Sequence, residues 1–222
     1  MMEVGKAAAR ILLEAEVLEQ NQERVLAPAG TPNFPNYVMF DLEGLPPHLN
    51  EIDKVYLWGT QVFGDKPSKF MAAVSGFGPD GDRQSWEEFL QIAKGIFDQY
   101  GDIPFIHWAS YEKTCISKYK KRYGDPDGIA DRVLANLCDL LPLTKACIVL
   151  PLPSYSLKVV EEYVGFKRTQ EEYGGDWAMA MFIEATETQD KTKRDELMGK
   201  ILTYNEEELS ATWAIFEWLK SR

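Results

Sequence analysis

Tyr37-Val38-Met39-Phe40-Asp41-Leu42-Glu43, stopped by Gly44, Pro46 and Pro47, is the most informative stretch of this chain. Val38, Met39, Phe40 and Leu42 describe a central β-strand, and the glycine and prolines end it. Side chains alternate along a strand, so Asp41 and Glu43 leave it on the same face. Two like charges that close are costly unless a cation lies between them. Strand-end acids often simply face water, but these emerge from a sheet core, where concave sites form.

Outward from this strand the pattern stays β-like. Lys54 to Phe63 and Phe70 to Phe77 read as two further short strands, with Gly64-Asp65-Lys66-Pro67 as the turn between them. A helix follows, with Ser85 as N-cap and Glu88 three residues on as a capping box, running to about Tyr100. Ile103 to His107 reads as a short buried strand, Tyr111 to Tyr123 as a helix, and Cys138 to Leu141 as the end of one more strand. From Ser154 the chain reads as helical to its end, broken by Gly165 and by Tyr173-Gly174-Gly175. Before the first strand, Glu3 to Glu23 has helical spacing at Ala8, Ile11, Leu12, Ala15 and Leu18. The segment Ala27 to Pro35, with three prolines and a glycine, reads as a linker. Two organisations stay open: residues 1–35 as a remnant of an upstream domain, or a helix packed back on the domain formed by 36–222. Three strands, helix, strand, helix, strand, then helices predict an α/β fold: a mixed central sheet, three antiparallel strands then parallel ones, flanked by helices.

Composition narrows the chemistry. The 222 residues are 45% hydrophobic and 27% charged, enough to bury a core without staples. Three cysteines, Cys115, Cys138 and Cys147, with no C-x-x-C pair, exclude a disulfide framework and a thiolate zinc cage. Two histidines, His48 and His107, exclude a multi-histidine metal centre. No apolar run approaches ~18 residues and nothing at the start reads as a signal peptide, so the expected compartment is the cytoplasm, with no membrane partner. The net charge of −11 opposes whole-surface attraction to nucleic acid. A polyanion would have to be met by a local basic patch or by bound cations.

Two further groups of acids matter. Glu112 follows the His107 strand at a helix start, where a carboxylate meets the positive end of the macrodipole; a lone His107 reads as structural. On the last helix Tyr204 and Glu208 are i and i+4 and share one face, while Glu206 and Glu207 are expected to be solvated. Ala211, Trp213, Ile215, Phe216 and Leu219 dock that helix. Asp139 reads as an N-cap for Leu140 onward, or else a supporting acid, and Asp176 as a cap for Trp177 to Glu187. Lys113, Lys118, Lys120, Lys121 and Arg122 crowd one helix with no acid among them. They are candidates for nucleic-acid contact or a solvated face. Trp108, Tyr111, Tyr155 and Trp177 are candidates for stacking the bases of a single strand.

D-x-E, then Y-E after a strand, then Y-x-x-x-acid on a late helix resembles the three motifs of the DEDD (DnaQ-like) exonuclease superfamily, on the ribonuclease H-like fold. Phe40-Asp-Leu-Glu-Gly44, His107-Trp-Ala-Ser-Tyr-Glu112, Asp139-Leu-Leu, Ser156-Leu-Lys158 and Tyr204-Asn205 resemble more closely the ribonuclease H-like domain of RecB-like, YprB-type nucleases, over about Asn36 to Arg222. The resemblance implies a metal-dependent nuclease, 3′–5′ exonuclease-like, acting on DNA or RNA and most naturally on single-stranded ends. Asp41, Glu43, Glu112 and Glu208 would hold two Mg²⁺ or Mn²⁺ ions, and Tyr204 would orient the attacking water. It also implies an upstream nuclease-like domain in the same polypeptide. The chain departs from the superfamily in having glutamate where aspartate usually stands at 112 and 208. The alternative reading is a ribonuclease H-like scaffold kept for binding. A third, paired acids of a glycosidase, fits the motif order poorly.

Overall fold

The computed structural model describes residues 2–47, 53–76 and 80–222. The elements in chain order are α1 (Met2–Gln20), β1 (Arg24–Val25), β2 (Asn36–Leu45), β3 (Lys54–Gly64), β4 (Met71–Val74), α2 (Gly81–Tyr100), β5 (Phe105–His107) and α3 (Tyr111–Tyr123). They continue with α4 (Ile129–Asn136), β6 (Leu137–Asp139), α5 (Leu140–Cys147), β7 (Ile148–Val149), α6 (Leu157–Tyr163), α7 (Gly175–Glu187) and α8 (Lys191–Lys220). Five strands form one sheet in the order β4-β3-β2-β5-β6. The β2–β3 and β3–β4 pairs are antiparallel, and the β2–β5 and β5–β6 pairs are parallel. This is the mixed α/β sheet expected from the element order.

Period-2 geometry on β2 sets the two layers. Val38, Phe40 and Leu42 face α2 and α3, meeting Trp58 of β3, Phe89 and Ala93, and Ile116 and Tyr119. Phe40 and Trp58 both stack on Phe89, with ring centroids 5.3 and 4.8 Å away. Tyr37 and Met39 face the other way, against Ile106, Leu140, and Leu209 and Phe216 of α8. Asp41 and Glu43 continue that second face, where α8 crosses the sheet. The position of the acids therefore follows from the same alternation that builds the core.

Several expectations need correction. Helix α2 begins at Gly81 with Asp80 as its N-cap residue, and Ser85 lies inside it. The Ser85 hydroxyl is buried, donating to the Asp82 carbonyl at 3.0 Å and lying 2.9 Å from the Ser75 hydroxyl. The S-x-x-E spacing at 85–88 is thus an interior coincidence, because this helix starts without any side-chain cap. The third strand is shorter than expected, and Phe77, like His48, lies outside the described residues. Helix α4 was not anticipated, and the C-terminal helices break again before Lys191, where Asp190 accepts from Thr192 and Lys193. Asp176 sits in the first turn of α7, whose cap residue is Gly174 at φ 140°. Asp139 does cap α5, accepting from the Leu141 amide at 3.0 Å.

The stretch that leads into the expected linker is tied down. Arg24–Val25 pairs with Ile148–Val149, and the amides of Leu26 and Ala27 both donate to the Cys147 carbonyl. Glu23 accepts from the Tyr163 hydroxyl at 2.7 Å and pairs with Arg222 at 3.1 Å. Two-residue strands carry too little pattern to read from sequence. The apolar stripe of α1 is turned outward: Ile11 and Leu12 are 65% and 70% exposed, while Val17 is buried.

Candidate active site

The four acids line one cleft of about 470 Å³, together with Tyr204, Trp108, Tyr111 and Lys158. Asp41 and Glu43 enter from the end of β2, where a bulge at Glu43/Gly44 shifts the register against β3. Glu112 comes from the first turn of α3 and is 3% exposed; Glu208 comes from α8 and is 5% exposed. The fold thus brings together residues up to 167 positions apart through three elements. Gly44 is required here, since a Cβ would run into the Tyr111 hydroxyl.

The acids are not equivalent. Glu112 Oε2 lies 3.1 Å from His107 Nδ1, both side chains buried. Glu208 Oε1 lies 2.9 Å from Arg168 Nη2, and Glu208 is one of the acids whose proximity raises the Tyr204 phenol. Asp41 receives only an amide: Asn205 Nδ2 donates to Asp41 Oδ2 at 2.7 Å. Asn205 is wholly buried and reaches Asp41 because residue 59 of β3 is glycine; a Cβ there would overlap the Asn205 amide oxygen. Burial, then Glu43, Glu208 and Glu112, push the Asp41 carboxyl well above the ordinary range. Burial, then Glu208, push Glu43 up to about 8, against the lowering influence of Asn205, Lys158 and Arg168. Glu112 is also raised, chiefly by burial, with the His107 hydrogen bond opposing it. Burial and the surrounding Glu43, Glu208 and Asp41 keep the Tyr204 phenol protonated far above neutral pH.

Four residues at the site were missed or given no role. Asn205 had a signal, being one residue past Tyr204 and three before Glu208, on the face toward the sheet. Arg168 had none: it lies in the segment between α6 and α7 and is 2% exposed beside Glu161 and Glu208. Glu161 gave no signal either. Lys158, the last residue of the Ser156-Leu-Lys158 motif, is the one basic side chain among the described residues that line the cleft. Its ammonium donates to the Tyr173 carbonyl at 3.3 Å and lies 5.2 Å from the Tyr173 ring centre. Glu207 was expected in solvent but is buried, accepting from the Thr169 amide at 2.7 Å and from the Thr169 hydroxyl. Glu206 is exposed as expected.

The basic helix is largely neutralised. Lys118 and Arg122 both pair with Asp53, Arg122 also with Asp82, and Lys120 with Asp131. Lys113 and Lys121 are exposed on α3. Trp108 and Tyr155 serve structure, the indole donating to the Tyr155 carbonyl at 3.1 Å and the Tyr155 hydroxyl accepting from Leu150.

The donor chemistry of Asp41 and Glu43 fits a hard divalent cation. Mg²⁺ characteristically takes one or two protein carboxylates and keeps water or substrate phosphate in its remaining positions. Among the described residues no three His, Cys, Asp or Glu side chains form a preformed metal cage. Neither the curated proteins nor the solved structures contain a match to this chain. A family model described as RNase H superfamily matches residues 38–220. That span runs from β2 to the end of α8 and includes the sheet and all four acids, and the chain belongs to the RNase H superfamily.

Proposed function

We propose that this chain is a divalent-cation-dependent nuclease that hydrolyses phosphodiester bonds, 3′–5′ exonuclease-like, acting on single-stranded ends. The observation that carries this reading is the Asp41–Glu43 pair: two neighbouring carboxylates on one face, desolvated and raised, with no basic side chain bonded to either among the described residues. Such a pair either binds protons or holds a cation. Superfamily membership and the motif order favour the cation. Mg²⁺ or Mn²⁺ bound there would supply Lewis-acid stabilisation of the phosphate and a more acidic water.

The chain's own residues have defined parts. Asp41 and Glu43 are the ligands, and Asn205 orients Asp41. Lys158 offers a positive charge to an incoming phosphate in a cleft whose other charged lining residues, among those described, are acids. Tyr204 stays protonated and can hand its hydrogen bond to the attacking water. That water would attack phosphorus and give up a proton to solvent, the bond to the 3′ oxygen would break, and that oxyanion would take a proton from solvent. Glu112 faces the same cleft with His107 behind it. The family resemblance implies two ions and a fourth ligand in Glu208; the ion pair Glu208 already makes bears on that count.

The test is Mn²⁺-dependent cleavage of end-labelled single- and double-stranded DNA and RNA. The expected result is stepwise shortening from the 3′ end that Asp41→Asn abolishes. Absence of cleavage on every substrate would favour the second reading, a binding module. The specific observation behind that reading is that Glu112 and Glu208 are each already engaged by an internal partner.

A further inference from the structure

The acids of the cleft divide into two kinds. Among the described residues, Asp41 and Glu43 have no basic side chain bonded to them. Glu208 has a guanidinium bonded to it, and that guanidinium is itself built in. Arg168 Nε and Nη2 reach both oxygens of Glu161 at 2.6 and 2.7 Å, and Nη2 reaches Glu208 at 2.9 Å. Its planar group lies 4.6 Å from the Tyr173 ring centre and 5.5 Å from that of Tyr204. The side chains of Arg168, Glu161 and Glu208 are all buried, and Arg168 Nη1 has no partner among the described residues, so removing either acid leaves the guanidinium further uncompensated away from water. An arginine held this way does not swing aside to admit a cation. A divalent ion ligated by Glu208 would stand within a few ångströms of a permanent positive charge. The local balance agrees: Arg168 is shared by Glu161 and Glu208, and Glu112 is engaged by His107, which leaves Asp41 and Glu43 as a neighbouring pair with charge to give a metal.

We propose that the cleft takes a single divalent cation, at Asp41 and Glu43, and that the Arg168 guanidinium stands where a second ion would otherwise sit beside Glu208. This rests on the metal-dependent reading above. Arg168 is then a positioning residue: it fixes the Glu208 side chain.

The test counts ions rather than turnover. Equilibrium dialysis with Mn²⁺, with low-temperature electron paramagnetic resonance, gives ions per chain and shows whether bound Mn²⁺ is isolated or one of a coupled pair. It is run with and without a nucleoside 5′-monophosphate. The expected result is one isolated ion per chain in both conditions. Two coupled ions in either condition overturn the proposal and leave the nuclease reading standing. No bound ion at millimolar Mn²⁺ sinks the metal reading itself. Glu208→Gln, where circular dichroism shows it folded, should still bind one ion, its affinity lowered by less than about tenfold for the loss of one nearby negative charge, whereas losing a partner of a bound metal's ligands typically costs ~10–100-fold. A loss in that larger range would make Glu208 part of the ion's site and overturn the proposal. Arg168→Gln, where circular dichroism shows it folded, should take up a second ion; a folded variant that still binds one removes Arg168 as the reason.

Discussion

At Asp41 and Glu43 the fold holds two carboxylates in a state they would not choose in water. Both have their pKa raised, chiefly by burial, Glu43 to about 8. A carboxyl whose folded pKa exceeds its unfolded value binds protons more tightly in the folded state. The stabilisation is complete below the unfolded carboxyl range, near 4, and is lost as pH rises toward about 8. In the presence of a chelator the melting temperature should therefore fall between about pH 5.5 and pH 8.5. Asp41→Asn with Glu43→Gln should flatten that slope, and thermal melts across the range check it. Adding Mn²⁺ should oppose the fall, because its ligands must be deprotonated to bind and its contribution grows with pH. A melting temperature that rises with pH in chelator would mean that the acids are not buried as described. The D-x-E pair was legible because strand periodicity alone puts 41 and 43 on one face. The partners of the acids were not: Arg168 is distant in sequence from the Glu208 it holds, and only packing reveals it.

At the scale of elements, α8 makes the site by crossing the same face of β2 that carries the acids. Its approach is set by Gly59 of β3, against which Asn205 packs. Gly59→Ala should push Asn205 off Asp41, costing about 1–3 kcal/mol as overpacking does. Mn²⁺ affinity should fall with it; calorimetry and dialysis test the two effects separately, and unchanged affinity would detach Asn205 from the site. Helix α3 was read to its end residues because a strand, a polar turn and Gly124 punctuate it. The short α4 and the two-residue β1 and β7 carry less than a full pattern and were not readable. Nor could the sequence show that Lys118, Lys120 and Arg122 face Asp53, Asp82 and Asp131 across elements. Charge reversal at Lys113 and Lys121 should thus lower the salt dependence of single-strand binding by ~0.7 for each phosphate no longer neutralised. Reversal at Arg122 should act mainly on stability, through its buried partner Asp82. Filter binding across salt concentrations separates the two, and an unchanged slope for the Lys113/Lys121 pair would make α3 a solvated face.

For the molecule as a whole, a net charge of −11 means that nucleic acid is not gathered by the surface at large. On the proposed reading, approach would be local, through Lys158 in the cleft, any exposed lysine of α3, and a cation held at Asp41 and Glu43. The same acidic body carries the segment of residues 1–35, and its two parts are attached very differently. Helix α1 buries one large apolar side chain among its described residues, Val17, and leaves Ile11, Leu12 and Leu18 in solvent. The stretch from Glu23 to Ala27 is instead bonded to β7, Tyr163 and Arg222. The domain we propose therefore begins at Glu23 rather than at Asn36. Deleting residues 1–22 removes about one buried side chain, worth ~1.5–3 kcal/mol. For a chain of this size each kcal/mol shifts the melting temperature by about 2–4 °C. The shorter deletion should thus lower it by roughly 3–12 °C and leave Mn²⁺ binding intact. Deleting residues 1–35 should cost clearly more, since it also strips the partner from β7 and uncovers the Cys147–Leu150 part of the core. Differential scanning fluorimetry of the two truncations decides between the boundaries. Equal melting temperatures would return the start of the domain to Asn36, and a shorter truncation that fails to fold would make α1 part of its core.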